Sequence, residues 1–241
     1  MASSAGTAAF ERTEAFPNAH LLWSPPQLKA RLGDPKLALV DLRSSHELFK
    51  GVIPGAAHFD LYGIGLTSTK EPLLDEFLNL MRSLLGLRGV GHEKTVVFYE
   101  QQTGNRVARA FWLLEYFGHK DVHVLDGGMD AWVAAGYPVA HEMAAPHPAS
   151  FKITPQKELF IGADELNRRI QAGEIQPLDT RTDDEYFGRH KRAARAGAIP
   201  HAVHLEWTHY MDENGRFKPP SELEALFKTV GVTKDKAIAP Y

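Results

Sequence analysis

An arginine two residues after an aspartate, closing a short apolar run, occurs twice in this chain. Ala38-Leu39-Val40-Asp41-Leu42-Arg43 is followed by Glu47 and Phe49, and Ile175-Gln176-Pro177-Leu178-Asp179-Thr180-Arg181 is followed by Glu185 and Phe187. A planar guanidinium can grip a bidentate oxyanion, but Arg43 reads rather as half of a structural ion pair. Each arginine has carboxylates at hand for such a pair. Asp41 and Asp179 read better as buried acceptors holding loop amides than as general acids. The 241 residues include no cysteine, which removes thiolate nucleophiles, disulfides and thiolate metal sites from these residues. The twelve histidines show no H-E-x-x-H or comparable ligand spacing, so neither a metal nor another cofactor is expected.

The duplication extends well past these two segments. Val52-Ile53-Pro54-Gly55-Ala56-Ala57-His58 returns as Ala198-Ile199-Pro200-His201-Ala202-Val203-His204, and Thr95-Val96-Val97-Phe98-Tyr99 returns as Ala237-Ile238-Ala239-Pro240-Tyr241. The register between copies is 138 residues at Arg43, 146 at Pro54 and 142 at Tyr99, a drift of loop-sized insertions. Two copies of one domain are expected rather than a solenoid, and a length of 241 residues accommodates them. The expected boundaries are a disordered tail over 1–16, a first domain over 17–140, a linker over 141–154 and the opening part of a second domain over 155–241.

An apolar fraction of 44% and a charged fraction of 24% are ordinary for a soluble globular protein. A net charge of −3 supplies no basic field for a nucleic-acid backbone, and no apolar run approaches a membrane span. The Ala- and Ser-rich opening is interrupted by Glu11, Arg12 and Glu14, which argues against a secretory signal; a cytoplasmic protein is expected.

Runs over 37–41, 56–60, 95–99 and 122–125 read as strands. Apolar residues at 73, 74, 77, 78, 81, 84 and 85 form a helical stripe, and Val107, Ala110, Phe111, Leu113, Leu114 and Phe117 form another, stopped by Gly118. Gly127-Gly128 opens a further helix through Trp132, a core residue. In the second copy a helix starts near Ala163-Asp164, Ser221 with Glu224 reads as a capping box, and 235–241 as the central strand. Strands alternating with helices give an α/β domain around a largely parallel sheet.

These pieces, in this order and present twice, resemble the rhodanese family of sulfurtransferases in its tandem form. The resemblance covers about residues 20 to 241. Its sharpest parts are the two Asp-x-Arg segments, Ile53-Pro54-Gly55-Ala56, Phe117-Gly118-His119, Asp126-Gly127-Gly128 leading to Trp132, and Ile199-Pro200 through His204-Leu205-Glu206-Trp207. It departs from the family's Gly-His-Ile-Pro-Gly-Ala at Val52, Ala198 and His201, which concern a turn. It implies two α/β domains, each a mainly parallel sheet flanked by helices, the second incomplete in these residues.

The resemblance further implies a cysteine directly after the central strand, in a loop of inward-pointing amides feeding a helix N-terminus. There it takes sulfane sulfur from a donor as a persulfide and yields it to a thiol or cyanide. In the first copy that position is Glu100, so the first domain is expected to be silent and structural. In the second copy it falls just after Tyr241, and about 40 further residues are expected by comparison with the first copy. Arg181 is then the donor-binding residue, Trp207 and Tyr241 are aromatic residues of the cleft or of packing, and Asp179 and Glu185 are structural. Arg106 reads as a turn cap. The basic run Lys191-Arg192-Ala193-Ala194-Arg195 is a solvated loop or a modest steering element for anionic donors. Thiosulfate is the expected donor, with 3-mercaptopyruvate the nearest competitor; a non-enzymatic interaction or anion-binding module is the alternative of another class. The expected partners are a small sulfur donor and a thiol or cyanide acceptor, without nucleic acid or membrane.

Overall fold

A computed structural model describes residues 10, 12, 14–66 and 68–241. The chain forms two compact units. Among the described residues the first comprises 10, 12, 17–157 and 213–217, and the second comprises 14–16, 158–212 and 218–241.

In the first unit β1 (Leu22–Trp23), α1 (Pro25–Arg31), β2 (Leu37–Asp41), β3 (Ala57–His58), α2 (Leu73–Gly86), β4 (Thr95–Tyr99), α3 (Asn105–Tyr116), β5 (Val122–Leu125) and α4 (Gly128–Ala134) follow in chain order. The strands make one parallel sheet in the order β1-β5-β4-β2-β3. All five residues of β4 are buried, as a central strand covered on both faces requires. Leu28, Leu39, Ile53, Val97, Tyr99, Leu125, Met129 and Trp132 pack as one core beneath it. Along α2 only Leu78, Met81, Leu85 and Gly86 are buried, while Leu73 and Leu80 stay exposed, so the buried stripe is narrower than the apolar one.

The second unit holds α5 (Ala163–Gln171), β6 (Ile175–Asp179), α6 (Asp183–Tyr186), β7 (Val203–His204), α7 (Pro220–Thr229) and β8 (Ala237–Pro240). Its parallel sheet β7-β6-β8 repeats the β3-β2-β4 part of the first. Both sheets therefore place an Asp-x-Arg segment and an aromatic residue at the same carboxyl edge.

Three sequence expectations are refined. The stretch 141–154 is not a loose connector: the Ala149 amide donates to Gly86 O, the Thr154 amide to Phe117 O, and Phe151 is buried against Phe117. The capping box at Ser221 does not form. Pro219-Pro220 sets the start of α7, and the Ser221 amide and hydroxyl both donate to the Glu14 carboxylate. Most of the expected tail lies outside the described residues, but Arg12 pairs with the buried Asp126, which also accepts from Arg216 at 3.0 Å. Among the described residues no helix is long and apolar enough to cross a membrane.

Candidate active site

The carboxyl edge of each sheet carries the same frame of three side chains. In the first unit Asp41 accepts from the Arg43 amide at 2.9 Å and from Arg43 Nε and Nη2 at 3.0 and 2.6 Å. Nη2 also donates to Gly51 O at 2.8 Å. The guanidinium lies over the Tyr99 ring, 5.8 Å from its centroid, and the Tyr99 hydroxyl accepts from the Ile53 amide at 3.1 Å. In the second unit Arg181 binds Asp179 through its amide and Nε, each at 3.0 Å, and through Nη2 at 2.5 Å. It donates to Gly197 O at 3.0 Å and lies 5.2 Å over Tyr241, whose hydroxyl accepts from the Ile199 amide at 2.9 Å.

Each interaction thus has its counterpart in the other copy. The arrangement welds the loop after the Asp-bearing strand to the Pro-turn loop and to the end of the central strand. Its polar groups satisfy one another, which is what permits them to be buried.

Electrostatics differ between the copies because their burial differs. Burial opposes the charge of Arg43, yet the Asp41 carboxylate holds its pKa above the ordinary value. Tyr99 is pushed well up, chiefly by burial and then by Asp41. In the second unit Asp179 has no exposed surface, whereas the Arg181 side chain is 31% exposed. Burial opposes the charge of Asp179, but the Arg181 hydrogen bonds hold its carboxyl below the usual range. Burial first and Asp179 second push Tyr241 up to about 12.

The Arg43 twin shows where the remaining edge of such an arginine points. Arg43 Nη1 reaches Gln101 Oε1 at 3.4 Å, in the loop that follows β4. Arg181 Nη1, by contrast, makes no hydrogen bond among the described residues, its guanidinium bonding through Nε and Nη2.

The loop after β4 is a cradle built by two helix starts. Gly104 caps α3 without a side chain, and Glu100 reaches in from outside to serve instead. Its Oε1 accepts from the Arg106 amide at 2.9 Å and the Val107 amide at 3.0 Å, two donors that the helix cannot satisfy itself. From the other side the Met129 amide donates to Glu100 O at 2.9 Å and the Asp130 amide to Gln101 O at 3.0 Å. Arg106 ties this loop to the Asp-x-Arg segment: its guanidinium donates to Leu42 O, Asp60 Oδ1 and Ser44 Oγ at 3.2, 2.7 and 2.9 Å. The Arg106 amide is itself capped by Glu100, and its side chain, expected to cap the local turn, spans the site instead.

Burial raises the Glu100 carboxyl above the usual range, outweighing the Val107 and Arg106 amides and the Arg106 charge. A raised folded pKa favours the folded state fully below the ordinary value of 4.5, and that contribution is lost as pH rises through the folded value. Glu100→Gln keeps the acceptor and removes the ionisation. Its urea midpoint should therefore match wild type below that ordinary value and exceed it progressively above. Glu100→Ala removes the acceptor for both amides and should cost about 1–2 kcal/mol at neutral pH.

The remaining residues singled out from sequence fall around the second frame. Glu185 forms the capping box of α6 with Thr182 and pairs with Arg192 at 2.7 Å. Trp207 opens the 3-10 turn Trp207–Tyr210, and its amide donates to Thr180 O at 3.0 Å. Sequence reasoning missed Gly51 and Gly197, and it did not show that Ile53 and Ile199 of the Pro-turn motif bind the frame through their amides. Their alignment in the two copies was the available signal.

The comparisons with known proteins agree with this duplicated geometry. The pattern of the Rhodanese-like domain matches residues 24–135 and again 162–241. A thiosulfate sulfurtransferase of Azotobacter vinelandii is 33% identical over 94% of this chain and 83% of its own length. A sulfur carrier protein of Thermus thermophilus is 31% identical over 94% and 83%. A crystal structure of a 3-mercaptopyruvate sulfotransferase of Escherichia coli superposes with a TM-score of 0.77 at 25% identity, covering 91% of this chain and 87% of that one.

Proposed function

The chain belongs to the rhodanese-like family of sulfurtransferases in its tandem form, and from that premise we propose that thiosulfate is its donor and a persulfide its intermediate. The observation that carries this reading is the placement of the residue after Tyr99. Glu100 sits at the start of α3 with two backbone amides on its carboxylate, donors that a thiolate at this position could accept in the same way. Tyr241, the residue after β8, takes the same place in its frame as Tyr99 at the end of β4, so the corresponding position of the second domain follows it directly. A cysteine there is the proposed nucleophile.

Its thiolate attacks the sulfane sulfur of thiosulfate. A new S–S bond forms, the donor's S–S bond breaks, and sulfite leaves with the electron pair. A thiol or cyanide then attacks the outer sulfur and restores the thiolate, a covalent ping-pong scheme. Glu100 cannot form a persulfide, and the first domain is structural. Arg181 holds the loop frame through Asp179 and directs its remaining Nη1 toward the donor's oxygens, with Trp207 and Tyr241 lining the approach. A reduced thiol of this kind fits a cytoplasmic setting.

Incubating the full-length protein with thiosulfate should add the mass of one sulfur atom, removable by cyanide. No mass gain retires the reading. Arg181→Ala should raise the KM for thiosulfate, and it should also lower stability, because the fully buried Asp179 loses its partner. The likeness to the Escherichia coli structure supports 3-mercaptopyruvate as the second donor to test. A higher kcat/KM with 3-mercaptopyruvate than with thiosulfate would reverse the donor assignment.

A further inference from the structure

The two frames are alike except in one connection. Between Phe49 and Gly51 the first copy has a single residue, Lys50; between Phe187 and Gly197 the second copy has Gly188 through Ala196. The equivalence of the end points is fixed by geometry, since Gly51 O and Gly197 O accept the same hydrogen bond from the frame arginine. Eight residues are thus inserted in the copy proposed to carry the chemistry, and four of those nine positions are cationic: Arg189, Lys191, Arg192 and Arg195.

These charges are divided between two tasks. Arg189 pairs with Asp184 at 2.6 Å and Arg192 with Glu185 at 2.7 Å, which pins the loop to α6. Lys191 and Arg195 make no ion pair among the described residues, and every residue from Arg189 to Ala196 is exposed. Beside them Phe187 is 61% exposed, with the Arg189 guanidinium 5.1 Å over its ring. Asp183, the other carboxylate of α6, is engaged by His204 at 2.8 Å. The result is an anchored, exposed loop presenting two uncompensated cations and an aromatic face, one hydrogen bond away from Arg181.

A run of side chains this exposed does not enclose a small molecule, since such ligands take concave sites. It does suit a flat partner of opposite charge, where complementary fields raise the encounter rate.

We infer that the loop 187–197 docks an acidic protein whose thiol accepts the sulfur, resting on the transfer reading above. The surface fits the acceptor rather than the donor, because the donor is small and held within the frame.

The test uses the full-length protein and a dye-labelled peptide in which a run of aspartates flanks a serine, so that binding is read without chemistry. Binding should weaken about tenfold on raising the salt from low to physiological and beyond, as expected for exposed charges. Lys191→Glu combined with Arg195→Glu should weaken it by about tenfold or more at low salt. Sulfur uptake from thiosulfate is measured on the same samples. Unchanged affinity in the double variant, or equal affinity for a lysine-flanked peptide, overturns the proposal. Tighter binding of single-stranded RNA than of the acidic peptide would assign the loop to a different partner and overturn it as well. Peptide binding without sulfur uptake removes the acceptor role and the transfer reading together. Sulfur uptake without peptide binding removes the docking surface alone.

Discussion

Asp41→Ala should destabilise the first unit by about 3–5 kcal/mol, because it strands a buried guanidinium. Arg43 is 2% exposed and Asp41 has no exposed surface, so water cannot replace the lost carboxylate. Three Arg43 groups lose their acceptor: the amide, Nε and Nη2. The Tyr99 hydroxyl, which faces Asp41 while accepting from Ile53, loses its partner too. Asp41→Asn keeps an acceptor of the same shape and should cost less than Asp41→Ala. Asp179→Ala should cost roughly 1–3 kcal/mol, since the exposed part of Arg181 can be rehydrated.

Urea unfolding followed by tryptophan fluorescence separates the two effects. Trp23, Trp112 and Trp132 lie in the first unit and Trp207 in the second, so the signal reports mainly the first. Equal losses from Asp41→Ala and Asp179→Ala would mean that burial does not set the strength of these pairs.

The frame also shows what could be read from the chain and what could not. The two Asp-x-Arg segments and the strands around 37–41 and 95–99 are local patterns, and each was legible. The partnership of Ile53 with Tyr99 was not, because those residues are 46 apart and meet only once β2, β4 and the Pro turn are assembled. The same holds for Arg181, which sequence suggests is a donor-binding residue and whose structure shows most of its donors committed to Asp179 and Gly197. β1 and α1 escaped notice for a different reason: a two-residue strand carries no periodicity, and α1 is only seven residues long. The failed capping box at Ser221 was a tertiary override, since Glu14 takes the hydroxyl from 207 residues away. The basic insertion was visible as register drift, but its meaning needed the paired glycine carbonyls.

Gly128→Ala should be nearly as damaging as Asp41→Ala, although it adds a single methyl group. Gly128 has φ +58°, and a Cβ there would lie 2.3 Å from Glu100 O and 2.8 Å from Gln101 O. Both obstacles are backbone atoms of the cradle loop and cannot swing aside like a side-chain tip. Relief requires the loop and the first turn of α4 to separate, which breaks the Met129–Glu100 and Asp130–Gln101 hydrogen bonds. The left-handed conformation costs about 1–2 kcal/mol and the overpacking about 1–3, so a loss near 3–4 kcal/mol is expected. Gly136→Ala supplies the control, because Gly136 has φ +70° but no atom within 4 Å of its ideal Cβ. It should show the conformational cost alone, about 1–2 kcal/mol. The difference between the two variants measures how firmly α4 sets the position of the loop that holds Glu100. Hydrogen exchange at the Met129 and Asp130 amides should accelerate in Gly128→Ala and stay at the wild-type rate, apart from any global loss, in Gly136→Ala. Equal unfolding midpoints for both would mean that the loop yields freely, and that the amide cradle around residue 100 is not held rigid by its neighbours.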